Sequence, residues 1–396
     1  MSTRSRRSTA AAVIAAVALG AAACGGVPDA PQNAYEVGFV SDLSGKFALN
    51  GVGQRNGFKA YFEQLNATGG IAGHPVQVTY LDDGGEASRG SANVTRLGTD
   101  PSLSAVGGFL LSNSCGAAAP RAAHLNVPLN CSAVAPDLLE PVHPYVFGAR
   151  TSQSNQAAPM LEFAGSVVRT ERPKVAVIVF GSAASTGLGR SVKQGAAQRG
   201  WDVVADETVA LSATDVSPQT ARITAAKPDV VVGALYDPLA ILFMRSLAAH
   251  GVDVPFVNYE GATAAGGIIP LKDPNFYALS NVSAGSGDAP GVRAYREAMA
   301  RAETPPAQPY ANVGYLQAME IAEGLRACGF PCPGPAMQQA LEGLRFDTGG
   351  FASGPVGFSP DNHEALDTVN FYVWDDKRRA VVEAASGVPA GSPSRS

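Results

Sequence analysis

Ser112, Glu260 and Tyr236 are residues whose types and positions offer chemistry. Ser112 follows a segment at 105–109 that reads as a strand and precedes one that reads as a helix. A hydroxyl beside the free backbone N–H groups of a helix N-terminus can hold a carboxylate. An ordinary capping serine stands in the same kind of place. Glu260 follows a second expected strand, 254–257, where an acid can pair with an ammonium or stay in solvent beside a helix start. Tyr236 follows a third, 229–234. Its ring can cover a bound molecule while its hydroxyl bonds a polar end, or the ring can pack in a core. Asp82-Asp83 pairs two acids without a basic or metal partner nearby in sequence, and reads as polar capping at a strand end. His74, His124, His143, His250 and His363 have no ligand spacing among themselves or with the cysteines, so neither metal nor cofactor is expected. No G-x-S-x-G elbow, P-loop, G-x-G-x-x-G or H-E-x-x-H occurs, and an enzyme is not expected. Turnover of a small amide or peptide would revive that reading.

The start of the chain says where these residues work. Arg4, Arg6 and Arg7 precede an uncharged, mostly apolar run at 10–23, and Ala21-Ala-Ala23 leads into Cys24. This reads as an export signal over 1–23, shorter than the roughly 20 apolar residues of a spanning helix. The cysteine at the exit is similar to the lipobox of bacterial lipoproteins, with Ala21 where that motif prefers Leu. The expectation is a lipidated linker over 24–34 and a protein held by lipid on the outer face of the cell membrane. A plain secretory signal with an incidental cysteine is the alternative, and Arg6-Arg7 leaves a twin-arginine route open. Without the three leader arginines, 26 Lys and Arg face 34 Asp and Glu, a formal charge of −8. Such a mildly acidic chain is a poor partner for nucleic acid. Four more cysteines remain, an even number that favours disulfides in an exported protein. Cys328-Gly-Phe-Pro-Cys332 can close on itself, and Cys115 and Cys131 each follow an expected strand and can join neighbouring loops; four buried thiols are the alternative.

Strand and helix patterns alternate from residue 35 onward. Expected strands at 37–40, 76–81, 105–109 and 127–130 are separated by helices at 51–66, 86–98 and 114–125. The alternation restarts after Arg150, with strands at 175–180, 201–205, 229–234 and 254–257 and helices at 155–169, 188–199, 217–226 and 238–250. Helices at 290–302, 309–327 and 335–344 and a last strand at 369–374 complete the chain, and the Gly/Pro/Ser-rich end from 385 is expected to be disordered. Alternating elements with apolar strands give parallel sheets covered on both faces. Two such runs make an α/β protein of two doubly wound lobes, whose natural site is the cleft beyond the strands' carboxyl ends.

The ordered set Val37-Gly-Phe-Val-Ser-Asp-Leu-Ser-Gly45, Asn66-Ala-Thr-Gly-Gly-Ile-Ala-Gly73, Tyr80-Leu-Asp-Asp83, Val106-Gly-Gly, Ala117-Ala-Ala-Pro120, Ala135-Pro-Asp-Leu138 and Phe256-Val-Asn-Tyr-Glu-Gly261 resembles the periplasmic branched-chain amino-acid binding proteins, the type I solute-binding subunits of ABC importers. The resemblance implies the type I periplasmic binding protein fold, with two lobes joined by a three-strand hinge. Crossings are implied near 147–150, 279–283 and 356–358, giving lobe one as 35–149 plus 283–356 and lobe two as 150–282 plus 357–384. It implies that Ser112 holds a ligand carboxylate, Glu260 a ligand ammonium, that Tyr236 lines the pocket, that Ser132 offers backbone groups, and that Tyr310 and Tyr315 lie near the cleft. Val134 stands where the family has a bonding threonine, and Asn50 and Thr186 where it has pocket tyrosines, which implies a larger and more polar pocket. The implied ligand is an amino acid, amide or small carboxylate, the implied partner an ABC permease, and the implied state a monomer. A ligand-sensing lipoprotein reporting to a membrane signalling protein uses the same fold and is the rival reading.

Overall fold

The computed structural model describes residues 33–132, 135–261 and 264–391. The leader, Cys24, Val134 and the last five residues lie outside them. The first sheet has five parallel strands in the order β2-β1-β3-β4-β5. They are β1 (Tyr35–Ser41), β2 (Val76–Asp82), β3 (Leu103–Gly108), β4 (Leu129–Cys131) and β5 (Val146–Gly148), with α1 (Ala48–Ala67), α2 (Ala87–Leu97) and α3 (Ser112–Leu125) between them. Side chains alternate across a strand, so β1 sends Phe39 to one face, against Phe58 of α1, and Val40 to the other, into the core that holds Val94 of α2.

The second lobe is built from α4 (Ala157–Val167), β6 (Lys174–Phe180), α5 (Ala183–Gln198), β7 (Asp202–Val209), α6 (Ser217–Ala226), β8 (Val230–Ala234), α7 (Asp237–Ala249), β9 (Phe256–Asn258), α8 (Ile269–Leu271) and β10 (Phe276–Ser280). The uninterrupted apolar runs of β6 and β8 are buried on both faces, as a covered parallel sheet requires. The chain then returns to lobe one as α9 (Pro290–Arg301), α10 (Ala311–Cys328), α11 (Gly334–Glu342) and the short pair β11 (Arg345–Phe346) and β12 (Val356–Gly357). α1 and α10 pack backbone to backbone: a Cβ added to Gly57 or Gly314 would lie 1.8 Å from a carbonyl oxygen of the other helix's segment. Last come β13 (Thr368–Asp375) and β14 (Ala380–Pro389), which complete a seven-stranded sheet in the order β14-β13-β10-β9-β8-β6-β7. β13 runs antiparallel to both its neighbours, so this sheet is mixed at one edge.

Two sequence expectations are corrected here. Residues 385–389 are not part of a disordered tail; they pair with β13 as the end of β14. The third passage between lobes is not at 356–358, because Val356–Gly357 stays in lobe one paired with β11. It runs later, and a side-chain knot ties all three passages there. Asn281 Nδ2 donates to Thr151 Oγ1 at 2.7 Å and to Thr368 O at 2.8 Å, while Thr151 Oγ1 donates to Leu366 O at 2.9 Å.

Candidate functional site

The loops that follow the parallel strands of both sheets enclose a cleft of about 1170 Å³. This is where an open α/β sheet exposes helix N-termini to a ligand. From lobe one, the starts of α1, α2 and α3 reach it; from lobe two, those of α5 and α7 do. Phe47 precedes α1 in a loop shaped by the buried Asp42, whose carboxylate accepts the N–H groups of Gly45 at 2.5 Å and Phe47 at 2.9 Å. The Phe47 ring then meets Tyr236 from the other lobe, with centroids 5.7 Å apart, and Tyr236 packs on Phe180 at 4.6 Å. Leu111, Ala135, Leu138, Leu188 and Leu211 extend this apolar wall. Ser112 is the first residue of α3 and lines the cleft beside Asn113. Burial raises the Tyr236 hydroxyl's pKa, opposed by its bond to Tyr259 and by the Arg150 charge.

The paired acids near the cleft are occupied. Asp82 accepts from the N–H groups of Leu43 and Gly84 and from Ser44 Oγ, and Asp83 from the N–H of Gly85 and from Ser114 Oγ. They brace the loops after β1 and β2. The remaining charged lining residues, Lys46, Glu86, Asp137 and Arg190, are exposed at the rim.

Glu260 is not in the cleft wall. Its side chain is 4% exposed and meets that of Arg150, 5% exposed, at 2.9 Å, as an ion pair rather than an aligned hydrogen bond. Arg150 belongs to the first passage between lobes. Its Nε and Nη2 donate to Ser132 O at 2.9 and 2.8 Å, and its guanidinium lies 5.4 Å from the centre of the Tyr310 ring. Burial raises the Glu260 carboxyl's pKa against the pull of Arg150 and Gln156. Burial also opposes the charge on Arg150, but Glu260, Tyr310 and Tyr236 outweigh it and its proton is held more tightly than usual. A cavity of about 20 Å³ adjoins the pair.

The expected residues therefore divide. Ser112 and Tyr236 line the cleft from opposite lobes. Ser132, Glu260 and Tyr310 gather instead around Arg150, which uses the backbone group of Ser132 and the charge of Glu260. Tyr315 packs in the core of lobe one between Tyr61, Tyr295 and Phe351. Asn50 lies in the first turn of α1, and Thr186 in α5 with its Oγ1 donating to Ser182 O; neither lines the cleft. The aromatic wall implied to be lost is supplied by Phe47 and Phe180, and polar residues, among them Ser112, Asn113, Gln153, Ser182 and Gln194, share the lining with it. Those two and Arg150 escaped the sequence reading. Arg150 had a signal: it ends the run Tyr145-Val-Phe-Gly-Ala, and a cation entering a buried apolar run requires a partner. Cys115 and Cys131 are bonded, joining α3 to β4 beside Ser112 and Ser132, and Cys328 is bonded to Cys332. Among the described residues, no group of three His, Cys, Asp or Glu side chains could hold a metal ion.

The sequence profile of the periplasmic binding proteins matches residues 34–379. The chain belongs to this family. The Leu/Ile/Val-binding protein BraC3 of Rhizobium johnstonii is 23% identical over 349 residues, covering 86% of this chain and 91% of that one. Two solved structures share the fold of this binding protein. A fatty acid ABC transporter substrate-binding protein from Thermomonospora curvata has a TM-score of 0.77 at 17% identity, covering 90% of this chain and 92% of its own. A solute-binding protein of R. palustris in complex with 4-hydroxybenzoate has a TM-score of 0.76 at 18% identity, covering 91% and 98%. Membership makes this an extracytoplasmic solute-binding protein of the kind that serves ABC transporters.

Proposed function

We propose that the protein captures a small carboxylate-bearing solute between its lobes, closes on it, and delivers it to an ABC permease while tethered to the membrane through lipid on Cys24. The observation that carries this reading is the two-sided wall of the cleft, with Ser112 and Phe47 from one lobe and Tyr236 and Phe180 from the other. A molecule that touches both walls has more contacts when they approach, so its binding favours the closed form. The knot of Thr151, Asn281 and Thr368 is the natural pivot, since it fixes the passages without crossing the cleft. The ligands named for the relatives span branched-chain amino acids, 4-hydroxybenzoate and fatty acids, and all of these carry a carboxylate.

Small-angle scattering and thermal unfolding of the chain from Gly25, against amino acids, amides, aromatic acids and fatty acids, test the reading. A ligand at a hundred times its Kd adds about 2.7 kcal/mol of stability, and the radius of gyration falls with it. Stabilisation without compaction would remove hinge closure. For the anchor, membrane fractions of cells making the full chain should lose the protein on Cys24→Ser; retention of that variant counts against lipidation.

A further inference from the structure

We propose that Arg150 positions the lobes: paired with Glu260, it forms a stop beside the pivot that limits how far the cleft opens before a solute arrives. This deepens the hinge reading above and concerns the chain on its own. The guanidinium is mounted on lobe one. Its Nε and Nη2 donate to Ser132 O, the Ser132 N–H donates to Gly108 O at 2.9 Å, and the neighbouring Cys131 is bonded to Cys115. The carboxylate is mounted on lobe two. The Asn258 side chain ties the end of β9 to Leu235 through both backbone groups of that residue, each at 2.9 Å, and the Tyr259 N–H donates to Gly233 O at 3.0 Å. Two braced arms therefore meet at one ion pair, Arg150 Nη1 with Glu260 Oε2 at 2.9 Å.

Place decides which motion the pair resists. Ser132 follows β4 and Glu260 follows β9, at the strands' carboxyl ends, the end of both sheets that lines the cleft. Thr151, the residue after Arg150, belongs to the pivot. Parting the lobes at the cleft therefore draws Glu260 away from Arg150, over a short distance because the lever is short. A cavity of about 20 Å³ interrupts the packing beside the pair, between Tyr310 and Asn312 of lobe one and Ile268, Ser280 and Tyr372 of lobe two. Glu320, another buried acid in the field of Arg150, lies on α10 of lobe one, where its Oε2 accepts from Asn130 Nδ2 at 2.6 Å, so it cannot draw the lobes together. Asp237, a second buried acid of lobe two at this seam, bears on Tyr310. A guanidinium cannot shed its proton. Without Glu260 it is a lone charge in a sealed seam, and it is relieved by water that enters when the lobes part.

The distance between the lobes, measured with no solute present, tests the stop. In the chain from Gly25 the four native cysteines are bonded in pairs, so Ala92→Cys on α2 and Ala197→Cys on α5, both exposed, supply the free thiols for two nitroxide labels. Double electron–electron resonance then reports the spread of interlobe distances. Glu260→Gln should raise the share of molecules beyond the wild-type range at least about tenfold. Adding Arg150→Met and changing position 260 to leucine instead (Arg150→Met with Glu260→Leu) removes both charges and should return the wild-type spread. Arg150→Lys keeps a cation but gives up the fork on Ser132 O, and should widen the spread by about threefold; it carries the test if Glu260→Gln does not fold. A pair that only supports the fold would lower the unfolding midpoint in these variants and leave the distances alone. Wild-type distances in a folded Glu260→Gln or Arg150→Lys variant, or parted lobes in the double variant, overturn the stop. Hinge closure on a ligand is judged separately by the scattering panel, so the two failures are distinguishable.

Discussion

Two polar regions lie on the same seam between the lobes and spend their polar groups in opposite ways. Around Arg150 the charge is matched within the chain: guanidinium to Glu260, to the Ser132 carbonyl and to the face of Tyr310. In the cleft, Ser112 and the start of α3, which has no side-chain cap, lie beside an aromatic wall. A charged residue near a binding seam is thus a ligand contact only where its charge is left over. The distinction is energetic as well as geometric. A satisfied buried pair contributes little net stability but is costly to break, whereas groups facing a cleft cost little until a ligand seals them from water.

The comparison is tested hardest at Arg150. Replacing it with Met leaves Glu260 buried without its cation and should cost about 3–5 kcal/mol in urea unfolding, while adding Glu260→Leu to that variant should restore most of the loss. If Arg150→Met costs under about 1 kcal/mol, the pair is not sealed, and its contrast with the cleft disappears.

How far such a contrast can be read from residues alone depends on the reach of the interactions. Strands β6 and β8 were legible because burial on both faces demands an unbroken apolar run. β14 was not: it is an edge strand, mostly exposed, with charged and small residues, and its partner β13 rather than its own pattern makes it a strand. Ser112 and Tyr236 were legible because position after a parallel strand fixes position at the cleft. Glu260 occupies the same kind of position, yet its environment is decided by an arginine from the hinge, and no local pattern reports that pairing. Phe47 depends on Asp42 folding the loop back, a contact between neighbours whose outcome lies across the cleft, on the other lobe.

On the open side, Phe47→Ala removes the one described aromatic contact that bridges the cleft, between Phe47 and Tyr236. Ligand affinity should fall by about tenfold, or roughly 1.5 kcal/mol, from lost apolar and ring contact. Because Phe47 is only half-buried, the unfolding midpoint without ligand should hardly move. A large loss of stability with unchanged affinity would make Phe47 a core residue and take the aromatic wall out of the site.

Glu364 lies between the two extremes and sharpens the comparison with the smallest effect. It is partly exposed and stands in the third passage, where both carboxyl oxygens accept from Asn155 Nδ2 of the first passage, at 3.2 and 3.0 Å. Burial pushes its pKa up from the ordinary 4.5 to about 7, against hydrogen bonds from Ser152 and Asn155 and with help from the Glu140 charge. The folded chain therefore keeps a proton that the unfolded chain releases at lower pH. This contribution to stability is fully present below about pH 4.5 and is lost as pH rises through about 7. Water reaches part of the group, so the loss should be about 1–2 kcal/mol rather than the full value of the shift. Glu364→Gln fixes a neutral amide in the same place and removes the titration. Relative to that variant, the wild-type chain should become less stable between pH 5 and pH 8 in urea unfolding. Parallel pH profiles for the two proteins would mean that Glu364 is solvated like a rim residue, and that the sealed character of the Arg150 region stops short of the third passage.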